Sequence, residues 1–374
     1  MDKILIVDGH SILNRAFYGL PDLTNSRGEH TNAVLGFVNI ILKILEEEKP
    51  THFAVAFDVH QKTFRHEMFS EYKGTRKGMP DELRSQVPIM KDLLKAMGVT
   101  VLECPGFEAD DVIGTIARKG EESGMEVSVL SGDRDLLQLA TEKVLIKIPK
   151  TKAGQTTVEN YHANDVQQLY GVTPQEFIDM KGLMGDTSDN IPGVPGIGEK
   201  TAAKIISAYH TIENAYSHID EIKPNKAKEN LSEFYNQAIM SKVLATIKCD
   251  APVEFDFSKM QYQSLFSKDA YELVKQLELK SLLKHFDVSD EKVELELTTH
   301  IVSDLVEMEN YFSALKNCAQ IGAFVLKEKG EFLGVGITKD GKQADFILCS
   351  MFITEDLIVS RFMDVYNKNP GIKI

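Results

Sequence analysis

The sequence predicts an α/β fold: a mainly parallel central sheet flanked by helices, then a helical subdomain and a smaller, partial α/β unit. Two observations carry the first part. Short apolar runs of strand length alternate with longer helix-period stretches as far as residue 163. Aspartates close several of those runs, and in open parallel sheets the ligand crevice lies beyond the carboxyl ends of the strands. A third observation separates the next part: from Asn164 to about Ile247 the strand pattern stops and short helical patterns take over.

Taken in order, Lys3–Val7, His52–Phe57, Val99–Leu102, Val127–Leu130 and Val144–Ile148 read as buried strands. Their continuous apolar character, without alternation, belongs to a sheet covered on both faces. Thr31–Glu48, Asp81–Met97 and Phe107–Ser123 carry helical periodicity between them. The charged stretch SDEKVELELTT lacks helix caps and marks a linker over 288–299. Beyond it, Gln320–Leu326 and Phe332–Thr338 read as strands of a new unit. The expected division is 1–163, 164–287, the linker 288–299, and 300–374. The last part offers too few elements for a comfortable independent core and is expected to be incomplete.

The 374 residues carry a net charge of −14. That total is unpromising for a nucleic-acid binder, but binding answers to the local field rather than to the sum. Lys62, Arg65, Lys73, Arg76, Lys77, Arg84 and Lys91 break the acidic trend within one span, interleaved with Phe64, Phe69 and Tyr72. Cys104, Cys249, Cys318 and Cys349 lie far apart without C-x-x-C spacing. This fits reduced thiols in a cytoplasmic protein and argues against a zinc site. The N-terminal MDKILIVDGH is not a signal-peptide pattern, and no apolar run is long enough to span a membrane.

The stretch GLMGDTSDNIPGVPGIGEKTAAK, residues 182–204, sets Asp186 and Asp189 before a Gly-Pro-rich turn that opens a helix. Gly193, Gly196 and Gly198 can leave backbone N–H groups bare for a phosphate or a cation-bridged phosphate. Lys200 and Thr201 begin the helix, whose N-terminus favours anions. A surface turn with a helix cap is the bland alternative, but it needs neither three glycines nor a second aspartate.

Asp8 closes the first strand, Asp58 the second, and Asp133 and Asp135 follow the fourth. Any one of these could be a cap or turn residue; their coincidence at one sheet edge points to shared chemistry. Glu108, Asp110 and Asp111 fall in the first turn of a helix that starts at the same edge, where the helix dipole also favours acids. Two carboxylates ~5 Å apart repel by about 3 kcal/mol at an effective dielectric near 20. Such a cluster is therefore either partly protonated or neutralised by divalent cations. Oxygen ligands alone favour Mg²⁺ or Mn²⁺, and two or more ions suit phosphodiester cleavage.

The basic segment between Asp58 and Asp81 reads by default as a solvated charge run, but it leaves the edge that carries Asp58. From there Lys73 and Arg76 can reach a scissile phosphate, and Phe69 and Tyr72 can stack on an unpaired base. Arg15 follows Asp8 on the same edge and is a candidate phosphate contact; His10 is given no role.

The blocks VDGHSILNRAF, AFDVHQKTFRHEMFSEYKGTR, PGFEADDVIGTIA, SGDRDLLQL and GLMGDTSDNIPGVPGIGEKTA, in this order, closely resemble the 5′-nuclease domain of bacterial DNA polymerase I, within the flap endonuclease family. The resemblance runs from Asp2 to about Asp287. It implies a PIN-like nuclease core with a helix-hairpin-helix subdomain. It places one metal near Asp8, Asp58, Glu108, Asp110 and Asp133. A second would be served by Asp135, Asp186 and Asp189, with Asp111 beside an ion or beside its ligands. Lys73 and Arg76 match catalytic basic residues of a mobile arch that embraces a single-stranded 5′ end, with Arg65 among the DNA-contacting candidates. The glycine-rich segment matches the helix-hairpin-helix, which grips the duplex backbone through a monovalent cation, here expected to be K⁺.

The implied reaction is metal-dependent hydrolysis of 5′ flaps and 5′ ends of DNA, with RNA primers in range, during replication and repair. The implied substrates are DNA with a 5′ flap, nick or free 5′ end, handled by a monomer without a membrane. No Ser, Cys or His is placed as a nucleophile. The C-terminal piece resembles the start of a 3′–5′ proofreading domain, but Phe324-Val325-Leu326-Lys327 stands where an active one carries Asp-x-Glu. That unit is expected to be catalytically dead. With no polymerase domain in the chain, the resemblance implies either a fragment of a longer polymerase or a natural truncation. The rivals are a non-catalytic DNA-structure-binding module of a larger polymerase, and a nuclease of related fold acting on RNA or RNA–DNA hybrids.

Overall fold

Six strands build the first sheet: β1 (Lys3–Asp8), β2 (His52–Ala56), β3 (Thr100–Leu102), β4 (Glu126–Leu130), β5 (Val144–Lys152) and β6 (Gln155–Tyr161). Their spatial order is β3-β2-β1-β4-β5-β6. All neighbours are parallel except the β5–β6 pair. The chain winds outward from β1 to β3, then crosses back to lay β4 on the other side of β1. That reversal is the point where an open sheet forms its crevice. The computed structural model describes residues 2–59, 61–152, 155–262, 264–286, 298–339 and 343–369. They divide into two compact units, Met1–Asp287 and Val288–Ile374.

The apolar runs are strands because both of their faces are covered. Ile4 and Ile6 of β1, Ala54 and Ala56 of β2 and Val127 and Val129 of β4 pack with the helix Ala109–Glu122 and the helical subdomain. Leu5, Val7, Phe53 and Val55 face the other way, against the helices Gly9–Gly19, Asn32–Glu48 and Gln86–Ala96. Leu265, Val274, Leu282 and Phe286 join this second layer. The last stretch of the first unit thus returns to the α/β core, which the division at residue 163 does not anticipate.

Other differences have local causes. The helix Gly9–Gly19 has no strong apolar signal at its start; Asp8 caps it by accepting from the Ser11 N–H. The expected helix over 81–97 divides into Asp81–Arg84 and Gln86–Ala96, with Pro88 tolerated in the first turn of the second. β6 is polar and, among the described residues, pairs with β5 alone, so it lacks the buried-strand pattern.

In the second unit β7 (Thr298–Val302), β8 (Gly322–Glu328), β9 (Glu331–Thr338) and β10 (Gln343–Leu348) form a sheet of order β7-β10-β9-β8. The helices Leu305–Leu315 and Glu355–Lys368 accompany it. Val302, Phe312, Ile337, Ile347, Ile358 and Val365 make a buried cluster, so a local core exists where few elements were expected. Phe324 and Val325 are exposed on β8, an edge strand. Among the described residues no helix is long and apolar enough to cross a membrane.

Candidate metal centre

Strand ends deliver the acids. Asp8 closes β1, where its Oδ1 accepts from the Ser11 N–H at 3.0 Å and its Oδ2 from the Ser131 hydroxyl at 2.7 Å. The same hydroxyl accepts from the Asp133 N–H at 3.0 Å, which ties the ends of β1 and β4 together. Asp58, two residues past β2, accepts from the Ala109 N–H at 2.8 Å and lies 3.3 Å from His10 Nδ1. Asp133 caps the turn Arg134–Leu139 by accepting from the Asp135 N–H. Glu108 and Asp110 enter from the N-terminal end of the helix Ala109–Glu122. Asp8, Asp58, Glu108, Asp110 and Asp133 line one cleft of about 930 Å³, with Lys73, Arg76 and Lys77 on its wall.

Crowding shows in the titration of these groups. Burial first, with Asp58 and Asp133 adding, pushes Asp8 up to about 6. Burial and then Asp133 and Asp8 raise Asp110 well above the carboxylate range. Burial and Asp133 raise Asp135 to about 7 against the pull of Lys181. Burial also opposes ionisation of Asp58, but His10 and the Ala109 N–H overcome it and hold that group to about 2. A cluster that resists full ionisation invites divalent cations, and its oxygen-only donors suit Mg²⁺ or Mn²⁺. The donor chemistry fits such ions. Among the described residues no three acids, His or Cys converge into a ready-made cage.

Asp135, Asp186 and Asp189 are occupied by the chain's own cations. Lys181 Nζ lies 2.7 Å from Asp135 and also pairs with Asp186, which accepts from the Ser188 N–H and hydroxyl as well. Asp189 pairs with Arg76, accepts from the Tyr72 hydroxyl at 3.1 Å, and has Lys73 Nζ at 3.8 Å. Lys73 Nζ sits 2.9 Å from Glu108. Its backbone N–H donates to the Asp189 carbonyl at 2.8 Å, pinning the basic segment to the 186–191 turn.

Four expectations are corrected. Asp111 is fully buried: its two oxygens accept from the Arg65 guanidinium at 2.8 Å each, and from the Glu108 and Lys248 N–H groups, so of its two expected places the one beside an ion falls away and the one beside the ligand Glu108 stays open. Arg65 is buried in turn, donating also to the Leu244 and Thr246 carbonyls; it anchors the basic segment and does not face DNA. Tyr72 is buried, its hydroxyl bonded to Glu108 and Asp189, so it presents no face for stacking; Phe69 is half-buried and packs with it against Ile191 and Leu244. The Gly193 N–H is not bare: it donates to the Ser241 hydroxyl at 3.0 Å. Gly193 is needed for close approach, since at φ +59 a Cβ there would stand 2.3 Å from the Gly185 nitrogen.

Gly196 and Gly198 are exposed, Lys200 is exposed beside them, and Thr201 is half-buried in the first turn of the helix Glu199–Tyr209. Arg15 is half-buried on the helix Gly9–Gly19. Sequence reasoning missed Lys181, Ser131 and the His10–Asp58 pair. A lysine inside the apolar run FIDMKGLM was a usable signal for Lys181; nothing marked Ser131.

Family profiles match in tandem: the 5′-3′ exonuclease N-terminal resolvase-like domain over residues 3–171, and the 5′-3′ exonuclease C-terminal SAM fold over residues 172–268. DNA polymerase I of Bacillus subtilis (strain 168) is 46% identical over 319 residues, covering 83% of this chain and 36% of that protein. DNA polymerase I of Bacillus caldotenax is 44% identical, covering 88% and 39%. The chain thus spans little more than a third of the length of these relatives. The bacteriophage T5 D15 protein co-crystallised with metal ions shares the fold at TM-score 0.55 and 22% identity, covering 74% of this chain and 98% of that one. A D15 flap endonuclease complex with DNA and metal ions aligns at TM-score 0.54 and 23% identity, covering 76% and 97%. Through residues 3–268, the chain belongs to the 5′–3′ exonuclease family.

Proposed function

We propose that the first unit is a structure-specific 5′ nuclease that hydrolyses phosphodiester bonds at 5′ flaps and 5′ ends of DNA. One observation carries the reading. Five carboxylates from three strand ends and one helix start line a single cleft, faced by Lys73 and Arg76. Asp8, Asp58, Glu108, Asp110 and Asp133 are the residues that would hold one ion, with Asp135, Asp186 and Asp189 serving a second; Mg²⁺ or Mn²⁺ fits the donors. Bound there, such ions supply an acidified water and charge neutralisation at the phosphate.

The chain's own residues do the rest. Ser131 and Ser11 hold Asp8 by neutral hydrogen bonds, so its charge stays available to the cleft. Lys73 and Arg76 lie on a segment tied to the 186–191 turn and can exchange their carboxylate partners for a phosphate, stabilising its developing charge. Gly196, Gly198 and Lys200 offer an exposed helix start for the duplex backbone, with K⁺ as a bridging ion. Arg15 is retained as a phosphate contact.

A flap-cleaving unit of this kind serves replication and repair beside a polymerase, with RNA primers among its substrates and the chain acting as a monomer. The second unit is read as catalytically inactive, since Val325 and Lys327 provide no metal ligand. Four free cysteines support a reducing, cytoplasmic setting. A non-catalytic DNA-binding module would have no need of the five acids that line the cleft here. The test offers a labelled 5′-flap duplex and a plain single strand with Mg²⁺. Preferential cleavage at the flap, abolished by chelation and restored by Mg²⁺, is expected; equal cleavage of both removes the structure-specific claim.

A further inference from the structure

We propose that Lys181 is a resident cation of the carboxylate cluster. Its ammonium occupies the place between Asp135 and Asp186, and a second divalent ion enters only by displacing it. The inference rests on the metal-nuclease reading above and concerns how that site is loaded.

Lys181 sits in the last turn of the helix Pro174–Met184. Gly185, at φ +70, lets the chain reverse, so that Asp186 returns over the turn it has just left. Lys181 Nζ then lies 2.7 Å from Asp135 and pairs with Asp186, with only 7% of its side chain exposed. The two carboxylates come from different elements, one following β4 and the other following this helix. One ammonium therefore joins the sheet edge to the helical subdomain at the spot where an ion bridging both acids would sit.

The other cations of the cluster differ. Lys73 and Arg76 belong to a surface segment, and Arg76 keeps 46% of its side chain exposed. Lys181 comes from a packed helix, between buried Met180 and Leu183, so its head group leaves by rotation of its own side chain and not by movement of the backbone. At the other end, Asp8 is held by a hydroxyl and an N–H, both neutral donors. The two ends of the cluster are thus unequal: the cation at Glu108, Lys73, belongs to the basic segment, whereas the Asp135–Asp186 end carries a counter-charge fixed on a packed helix, and a cation arriving there must overcome that like charge.

The consequence is sequential loading. The DNA-free chain should bind one Mn²⁺ tightly and a second weakly by calorimetric titration. Lys181→Met should tighten the second site at least tenfold, about 1.4 kcal/mol, while leaving the first within twofold. Lys181→Arg, which keeps the charge, should keep the second site weak. An unchanged or weakened second site in Lys181→Met overturns the proposal, because Lys181 would then be positioning the acids and not occupying the site. Should that variant fail to fold, the wild-type chain decides. With ¹³C-lysine labelling, the Lys181 ε-methylene signal, assigned by its loss in Lys181→Arg, should shift with the second equivalent of Mg²⁺ and not with the first. A signal unmoved at saturating Mg²⁺ overturns the proposal. Absence of any Mn²⁺ binding removes the metal-nuclease reading itself, an outcome distinct from failure of the second-site shift.

Discussion

Replacing Arg65 by Met should cost stability and leave DNA affinity intact. The substitution strips two 2.8 Å charged hydrogen bonds from Asp111 and two donations to the Leu244 and Thr246 carbonyls. Asp111 remains fully buried, and removing one partner of a buried ion pair costs about 3–5 kcal/mol. Asp111 keeps the N–H donors of Glu108 and Lys248, which places the loss at the lower end, about 3 kcal/mol. Urea unfolding at neutral pH reads this as a midpoint lower by about 1 M, for a slope near 3 kcal/mol/M. Adding Asp111→Leu removes the buried charge that Arg65→Met leaves unpaired, so the double variant should be more stable than the sum of the single losses by at least about 1 kcal/mol. Affinity for a 5′-flap duplex, measured where the variant is still folded, should stay within twofold. An unchanged urea midpoint together with a tenfold loss of DNA affinity would refute the reasoning, since Arg65 would then be spending its charge on phosphate.

The double change Asp133→Asn and Asp135→Asn should abolish flap cleavage while gel-shift binding persists; full activity sinks the metal assignment. Burial opposes ionisation of Glu48, but Lys147, Lys3 and Ser128 hold it to about 2, below its ordinary 4.5. The stabilisation is therefore whole above pH 4.5 and is lost as the pH falls toward 2. In Glu48→Gln, that part of the acid-denaturation slope, about 2 kcal/mol after allowance for solvent screening, should disappear. Gly193→Ala forces a side chain into a left-handed backbone against Gly185 and should cost at least about 2 kcal/mol in thermal or urea unfolding; a neutral result removes the close-approach argument. Because Lys73 and Arg76 neutralise Glu108 and Asp189, a bound phosphate that engages them should free those acids and tighten Mn²⁺ binding. Titration with an uncleavable flap duplex checks this, and equal affinity with and without DNA contradicts it.

The legible part of this chain is local in sequence. Asp8 and Asp58 announce themselves because an apolar strand run ends in an acid, and the register of β1 with β2 and β4 brings those ends to one edge. The glycine-rich turn is legible for the same reason: its unusual backbone needs are met by residues side by side. What stayed hidden is set by pairing across distance. Arg65 reads as one more charge in a basic run, and Asp111 as one more acid in a helix start. Only the fold brings two residues 46 positions apart into a buried pair, which turns a presumed DNA contact and a presumed metal ligand into each other's partners. Tyr72 follows the same logic, since an aromatic in a basic segment stacks on a base if exposed but donates to Glu108 and Asp189 once it is folded inward. Residue type thus states what a group can do, and burial selects which of those it does. Beside buried acids the selection runs one way: once Arg65 is drawn out of water its charge needs a partner, and Asp111 at 2.8 Å supplies it, since a buried charge left alone costs several kcal/mol.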